Sequence, residues 1–246
     1  MKMSLMVFAL VAGFAVQDTP PLEVMLDRIN GNIHELQNTL PDITCKEKFT
    51  LRSTRPGMSG FSQESLMTTA RMAGRGNVYF RVSRQVTSAK GTPSSIINRV
   101  QNLLADVTLA FGPSSRSSTN YKFVRRQDIR GVPAYVIEFE TRGGASSSNR
   151  GGTLTGLGDP RNTVKGKGWV DSGTMQVLRL EFSQLNIPGR SSKEDSVSDY
   201  DAVNIEGKTY WLLTKLSKKD DVGIELAATY SECRRFEVTS QIRPVQ

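Results

Sequence analysis

The residues whose types and spacing suit chemistry are two carboxylate pairs, Glu138/Glu140 and Asp199/Asp201. Each pair is two residues apart. On a strand, both carboxylates then share one face, where they can hold a cation or divide acid and base roles. The same spacing is ordinary on the watered side of a sheet. His34 is the single histidine, and no Gly-x-Ser-x-Gly elbow occurs, so a Ser–His triad lacks its parts. No Cys-x-x-Cys or histidine cluster offers a zinc site. The glycines of Gly143–Gly168 do not follow a strand and open a helix, as a phosphate cradle requires. Trp169 and Trp211 can stack a sugar or a headgroup, or simply pack. The pairs Arg125-Arg126, Lys218-Lys219 and Arg234-Arg235 read as solvated surface that can also dwell at an anionic membrane. These observations give no catalytic residue, no metal site and no cofactor, and the expectation is a protein that is not an enzyme.

The compartment comes from the N-terminus. Lys2 precedes an uncharged apolar run from Leu5 to Val16, with Gly13 and Ala15 where a signal peptidase reads small residues. The run is shorter than the ~20 residues of a membrane span and reads as a signal peptide over residues 1–17, leaving a periplasmic chain from 18 to 246. The formal charge of +8 favours anionic partners, and export turns that preference from nucleic acid to lipid headgroups. Export also gives the two cysteines a meaning. In an oxidising compartment the only available pair is Cys45–Cys233, which ties the first strand to the last. Cys45 shares a face with Phe49 and Leu51, whereas Cys233 is out of phase with Tyr230 and Ile224. A bulge between Tyr230 and Cys233 reconciles the two.

The remaining elements follow from periodicity. Leu22, Met25, Leu26, Ile29, Ile33, Leu36 and Leu40 recur at helical spacing behind Thr19-Pro20-Pro21, with Thr19 the expected cap. His34 lies on the polar flank of this helix. A second helix is expected from Thr92-Pro93 to Gly112-Pro113, with Ile96, Ile97, Val100, Leu103, Leu104, Val107 and Phe111 as its stripe. Elsewhere the chain alternates with period two, which means a sheet with one dry and one wet side. In Cys45–Arg52, Phe49 and Leu51 face in. Val78, Phe80 and Val82 share a face in Asn77–Thr87; Arg84 has the same parity, with its head expected in water at the strand end. Tyr135, Ile137 and Phe139 face in, opposite Val136, Glu138 and Glu140. In the hairpin around Asp171-Ser172-Gly173-Thr174, Leu178, Leu180 and Phe182 form the dry side. Gly143–Gly168 has few apolar side chains and reads as a flexible loop with one short strand near Val164. Turns are expected at Glu206-Gly207 and Lys218–Asp221, and final strands at Val222–Glu232 and Phe236–Ile242. The fold class is α+β, mainly antiparallel: a single domain built on an unclosed curved sheet of about ten strands covered by two amphipathic helices.

This order of helix, three strands, helix and a long run of strands resembles the LolA/LolB-like lipoprotein-carrier family of the bacterial envelope. So does Gly168-Trp169-Val170-Asp171 with Val177-Leu178-Arg179-Leu180. Asp199-Tyr200, Ile205-Glu206-Gly207, Tyr210-Trp211-Leu212-Leu213 and Tyr230…Cys233-Arg234-Arg235-Phe236 are similar to exported proteins of acidobacterial type. The resemblance covers about Pro20 to Ile242. It implies a half-barrel whose concave face takes acyl chains.

Two functions follow as expectations. The first is an exported carrier or sensor for a lipid, a lipoprotein acyl chain or another apolar ligand, lined by Phe49, Leu51, Val78, Phe80, Val82, Tyr135, Ile137, Phe139, Leu178, Leu180 and Phe182. Diffuse apolar lining is enough for this, because ~10 buried methylenes contribute roughly 8 kcal/mol before entropy costs. The second is an envelope interaction or scaffold module whose helices fill the concavity. A hydrolase requires an inward polar cluster, which the sequence does not display.

Overall fold

The computed structural model describes residues 19–54, 60–74, 77–91, 103–113, 115–142, 163–185 and 193–237. The expected signal peptide, the start of the second helix, most of the Gly/Ser segment and most of the strand expected at Phe236–Ile242 lie outside these residues. So do the side chains at 73–79 and 142, Val78 among them.

Among the described residues, ten antiparallel strands form one sheet: β1 (Ile43–Ser53), β2 (Phe61–Gly74), β3 (Asn77–Lys90), β4 (Thr119–Ile129), β5 (Val132–Arg142), β6 (Thr163–Asp171), β7 (Val177–Leu185), β8 (Glu194–Ile205), β9 (Lys208–Asp220) and β10 (Ile224–Arg235). The order is β3-β2-β1-β10-β9-β8-β7-β6-β5-β4, so the sheet stays open between β3 and β4. The chain lays down β1 to β3 as a meander ending at one edge. It then crosses to the other edge and meanders back from β4 to β10. The first and last strands therefore meet in the sheet interior. The crossing carries α2 (Ala105–Phe111), and α1 (Leu22–Thr39) precedes β1. Both helices lie on the same apolar face.

Local sequence explains the turns. Arg130-Gly131 and Glu206-Gly207 both have positive φ at two successive residues, the pattern of a two-residue hairpin whose twist matches its strands. Asp171 holds the β6–β7 turn by accepting from the Gly173 and Thr174 amides at 2.7 and 2.9 Å, as short acidic side chains do. α1 buries Met25, Leu26, Ile29 and Ile33, its predicted stripe. Its N-cap is Pro21 with no side-chain cap, so Thr19 does not cap it.

Three further expectations need correction. Residues 163–168, read as the end of a loop with one short strand near Val164, form the whole first half of β6 in register with β5 and β7. Backbone pairing on both sides offsets the weak propensity of the glycines. The turn expected at Lys218–Asp221 is strand as far as Asp220. Leu178 is the extra residue of a β7 bulge, since Trp169 faces Arg179 and Val170 faces Val177. The bulge reverses the parity of everything before it, putting Val177 rather than Leu178 on the face of Leu180 and Phe182.

The Cys45–Cys233 disulfide is present, across a sequence separation of 188. Thr44 faces Arg234 and Lys46 faces Ser231, so Cys45 alone opposes Glu232 and Cys233. Glu232 takes a φ of 49° there. This is the bulge that the phase mismatch demanded.

Candidate binding site

Of the predicted lining residues, Phe49, Leu51, Phe80, Tyr135, Ile137, Phe139, Leu180 and Phe182 are buried in one cluster with both helices, and Val82 packs against it from a half-buried position. They belong to β1, β3, β5 and β7 and form a continuous apolar floor. Leu178 is the exception. It belongs to a second cluster with Ala134, Val136 and Trp169, flanked by Trp211, Val124, Ile129 and Val132. Its bulge places it there, so both tryptophans pack on this separate cluster. Arg130 ties the same region together. Its guanidinium donates to the Leu178 and Tyr200 carbonyls, each at 3.0 Å, and pairs with Asp201 at 2.8 Å.

The helices are seated by complementary shape and a few polar ties. Phe111 of α2 stacks on Tyr121 and meets Phe139 edge-on, with ring centroids 5.8 and 5.7 Å apart. Gly168 makes room for it, because a Cβ there would lie 2.7 Å from the Phe111 ring. Gly166 likewise admits Phe139 and Phe182, whose atoms would lie 2.8 and 2.5 Å from an added Cβ. Gly166→Ala is therefore expected to lower stability by about 1–3 kcal/mol through overpacking, read from the denaturant midpoint. The Tyr121 hydroxyl donates to Ala110 O at 2.8 Å. For α1, Asn32 donates to Thr174 O at 3.0 Å, and Arg116 pairs with Glu23 and Asp27. His34 is exposed beside Asn38 on this helix.

A polar band crosses the apolar floor, assembled from residues on separate strands and on α2. Glu47 is 1% exposed and faces Ser65 on one side and Tyr230 on the other. Arg84 grips it twice, Nε donating to Oε2 at 2.6 Å and the terminal nitrogen to Oε1 at 3.0 Å, while Ser65 adds a bond of 2.8 Å. The expected solvated head of Arg84 is thus wrong: its side chain is 15% exposed, because a buried carboxylate draws it inward. On the far side of Tyr230, Asp106 of α2 is buried and accepts from Ser198 Oγ at 2.6 Å. Lys218, opposite Ser196, binds Glu194 at 3.0 Å. It is an inward residue, whereas its neighbour Lys219 pairs outward with Glu225.

The charges shape these groups. Burial pushes the Tyr200 phenol well above its ordinary range, and the Asp106 carboxylate adds to the effect. Burial raises Tyr230 too, with Glu47 reinforcing it. Burial pulls the Lys218 ammonium down, but Asp106 and Glu194 outweigh it and hold the group above its usual value. Sequence phase carried a signal for the band. Glu47 alternates with Cys45, Phe49 and Leu51, and Arg84 with Phe80 and Val82, so two opposite charges sat on dry faces. Asp106, beside the stripe of α2, gave none.

The band is not arranged for nucleophilic catalysis. Ser198 is fully buried and donates to a carboxylate rather than to a base. The carboxylate pairs singled out from the sequence lie apart from the band. Glu138 and Glu140 pair with Lys167 and Lys165 at 3.3 and 3.2 Å, and Asp199 with Arg179 at 3.3 Å. A recess of about 690 Å³ crosses β4–β8. Phe139, Phe182 and Ser196 are buried in its wall, and the less buried side chains around it are Asn120, Tyr121, Lys122, Glu138, Glu140, Lys165, Lys167, Glu181, Ser183, Asp195 and Val197. The space between α1 and the sheet, walled by Ile29, Ile33, Met175, Tyr200 and Trp211, amounts to about 20 Å³, room for one water. No helix among the described residues is long and apolar enough to cross a membrane.

No protein-family model matches the sequence, and no curated protein matches it. Among solved structures the chain is similar to a DUF1329 family protein from Desulfovibrio piger, at 13% identity over 90% of this chain and 96% of that one, with a TM-score of 0.48. It is also similar to a LolA superfamily protein from Nitrosomonas europaea, at 13% identity over 88% and 94% of the two chains, with a TM-score of 0.39. A third likeness is to an outer-membrane lipoprotein-sorting protein domain from Vibrio parahaemolyticus, at 12% identity over 86% and 92%, with a TM-score of 0.43. At this level of similarity no ligand, partner or residue role passes from those proteins to this chain.

Proposed function

We propose that this chain is an exported, periplasmic, non-enzymatic binding protein that carries or senses a lipid or lipoprotein acyl chain on the concave face of its sheet. The observation that supports this most is the continuous apolar floor of an open sheet, roofed by two helices that pack into the same buried cluster and carry few hydrogen bonds to it. A roof of that kind can be exchanged for a ligand without breaking the sheet ladder. The apolar area released from the helices is then re-covered by the acyl chain, at ~0.8 kcal/mol per buried methylene. The net positive charge suits a dwell at an anionic membrane surface, where such a ligand is collected or delivered.

A second reading, an envelope interaction module, is favoured by the close seating of α1 and by how little space remains beside it. One experiment separates them: native mass spectrometry and organic extraction of protein purified from its own envelope, followed by titration with a fluorescent acyl probe. The carrier reading expects co-purified lipid and saturable probe binding. Recovery of no lipid together with no probe binding selects the packed module.

A further inference from the structure

Among the described residues the open sheet has two free edges, β3 and β4, and they differ in kind. An unpaired edge invites another chain unless charges, bulges or a covering segment blunt it. β4 is blunted. Lys122, Arg125, Arg126 and Asp128 are exposed along it, and a bulge at Val124 breaks its line. β3 is not. From Phe80 to Val86 its register against β2 runs without a break, and its one irregularity follows at Thr87. Two charges lie in this run. Arg81 is exposed on the outer face, and Arg84 is drawn inward by Glu47, its Nε donating at 2.6 Å. Val82, Ser83, Gln85 and Val86 carry no charge, and Val86 is 53% exposed although it shares the face of Phe80 and Val82.

A second β3 complements this edge. A two-fold axis normal to the sheet pairs the strand with itself in antiparallel register and keeps both apolar faces on one side. The residue on the axis sets the register. An axis at Arg81 or Arg84 brings like charges face to face, which is destabilising. An axis at Gln85 runs the pairing through the bulge at Thr87. Val82 and Ser83 remain. With the axis at Ser83, Arg81 faces Gln85 of the other copy, Val82 faces Arg84, and Phe80 faces Val86. The exposed valine is then covered by a ring that belongs to the apolar floor, and no two cations meet.

We propose that β3 is the docking edge for a second copy of this chain, paired antiparallel from Phe80 to Val86 across a two-fold axis at Ser83. The two open sheets become one, with their concave faces side by side. A ladder this short buries less than the ~800 Å² per partner of a standard stable interface, so the dimer exchanges with monomer. The inference goes beyond the carrier reading and needs no ligand.

The test uses the full chain with its disulfide intact. Sedimentation equilibrium of the wild type is expected to show a monomer–dimer equilibrium that moves with concentration. V86K is expected to weaken association by at least about tenfold, because symmetry sets two ammonium groups against apolar rings in each dimer. Its thermal midpoint should match the wild type at low concentration, since Val86 is 53% exposed in the single chain. Cross-linking reads the register. S83C is expected to link to itself on mild oxidation, with the bond mapped to position 83 of both copies. R81C is expected to link to Q85C in a mixture and not to itself. If S83C does not fold, that mixture answers the same question. A wild type that stays monomeric at every soluble concentration overturns the proposal. So does a dimer that V86K leaves intact, or R81C linking to itself as readily as to Q85C.

Discussion

The variant R84M is expected to unfold about 3–5 kcal/mol more easily than the wild type, the typical penalty for removing one member of a buried ion pair. The effect comes from what is left behind. Glu47 is 1% exposed, and without Arg84 its polar neighbours among the described residues are the Ser65 hydroxyl and the Tyr230 phenol, neither of them a cation. It cannot reach water from the middle of β1 without breaking its pairing to β2 and β10. The double variant E47Q/R84M should recover most of the loss, since a neutral amide tolerates the apolar floor far better than a lone carboxylate. Urea unfolding of the two single variants and the double closes the cycle and gives the coupling directly. A loss under 1 kcal/mol in R84M would mean that the pair is solvated in practice, contrary to its burial.

Removing the disulfide should have an effect of similar size. C45A/C233A is expected to lose about 5 kcal/mol in the chain-entropy account, because the bond closes a loop of 188 residues in the unfolded chain. The native sheet should survive, since β1 and β10 stay paired from Lys46/Ser231 to Ser53/Ile224. The measurement is the denaturant midpoint of wild type with and without reductant, with a thiol titration of unreduced, denatured protein that should find no free thiol. An unchanged midpoint on reduction would show that the unfolded chain holds these strands together without the bond.

Much of this architecture is legible in the sequence, for a physical reason. Period-two alternation with one charged side identifies a half-buried strand and its inward face together. Phe49, Leu51, Phe80, Tyr135, Ile137 and Phe139 were therefore placed from pattern alone. The cysteine pairing was legible because only one pair existed, and the bulge because the two parities disagreed. What pattern could not convey was any local break in its own period. Leu178 went to the wrong face because nothing in Val177-Leu178-Arg179 signals which residue is the extra one. A charged run such as Lys218–Asp221 looks the same in a turn as at the end of a strand, and only its register against Ser196 shows Lys218 pointing inward. The polar band was missed for a related reason. An inward Glu and an inward Arg on different strands look like two separate exceptions until the register of β1, β2 and β3 brings Glu47 and Arg84 within 2.6 Å.

The meeting of β1 and β10 in the middle of the sheet also fixes an order of events in time. β1, β2 and β3 can pair among themselves as soon as they exist, and β4 to β9 can build as a series of local hairpins. Neither part is joined to the other until the last strand arrives, because β10 alone bridges β9 and β1. Contacts this distant in sequence carry a large closure entropy and slow the final step. Until then two half-sheets each show an unpaired inner edge, the condition most prone to wrong partners. A chain truncated before Ile224 should therefore not give a smaller stable sheet. It should give two unjoined pieces, and the Cys45–Cys233 bond forms only once β10 is in place beside β1.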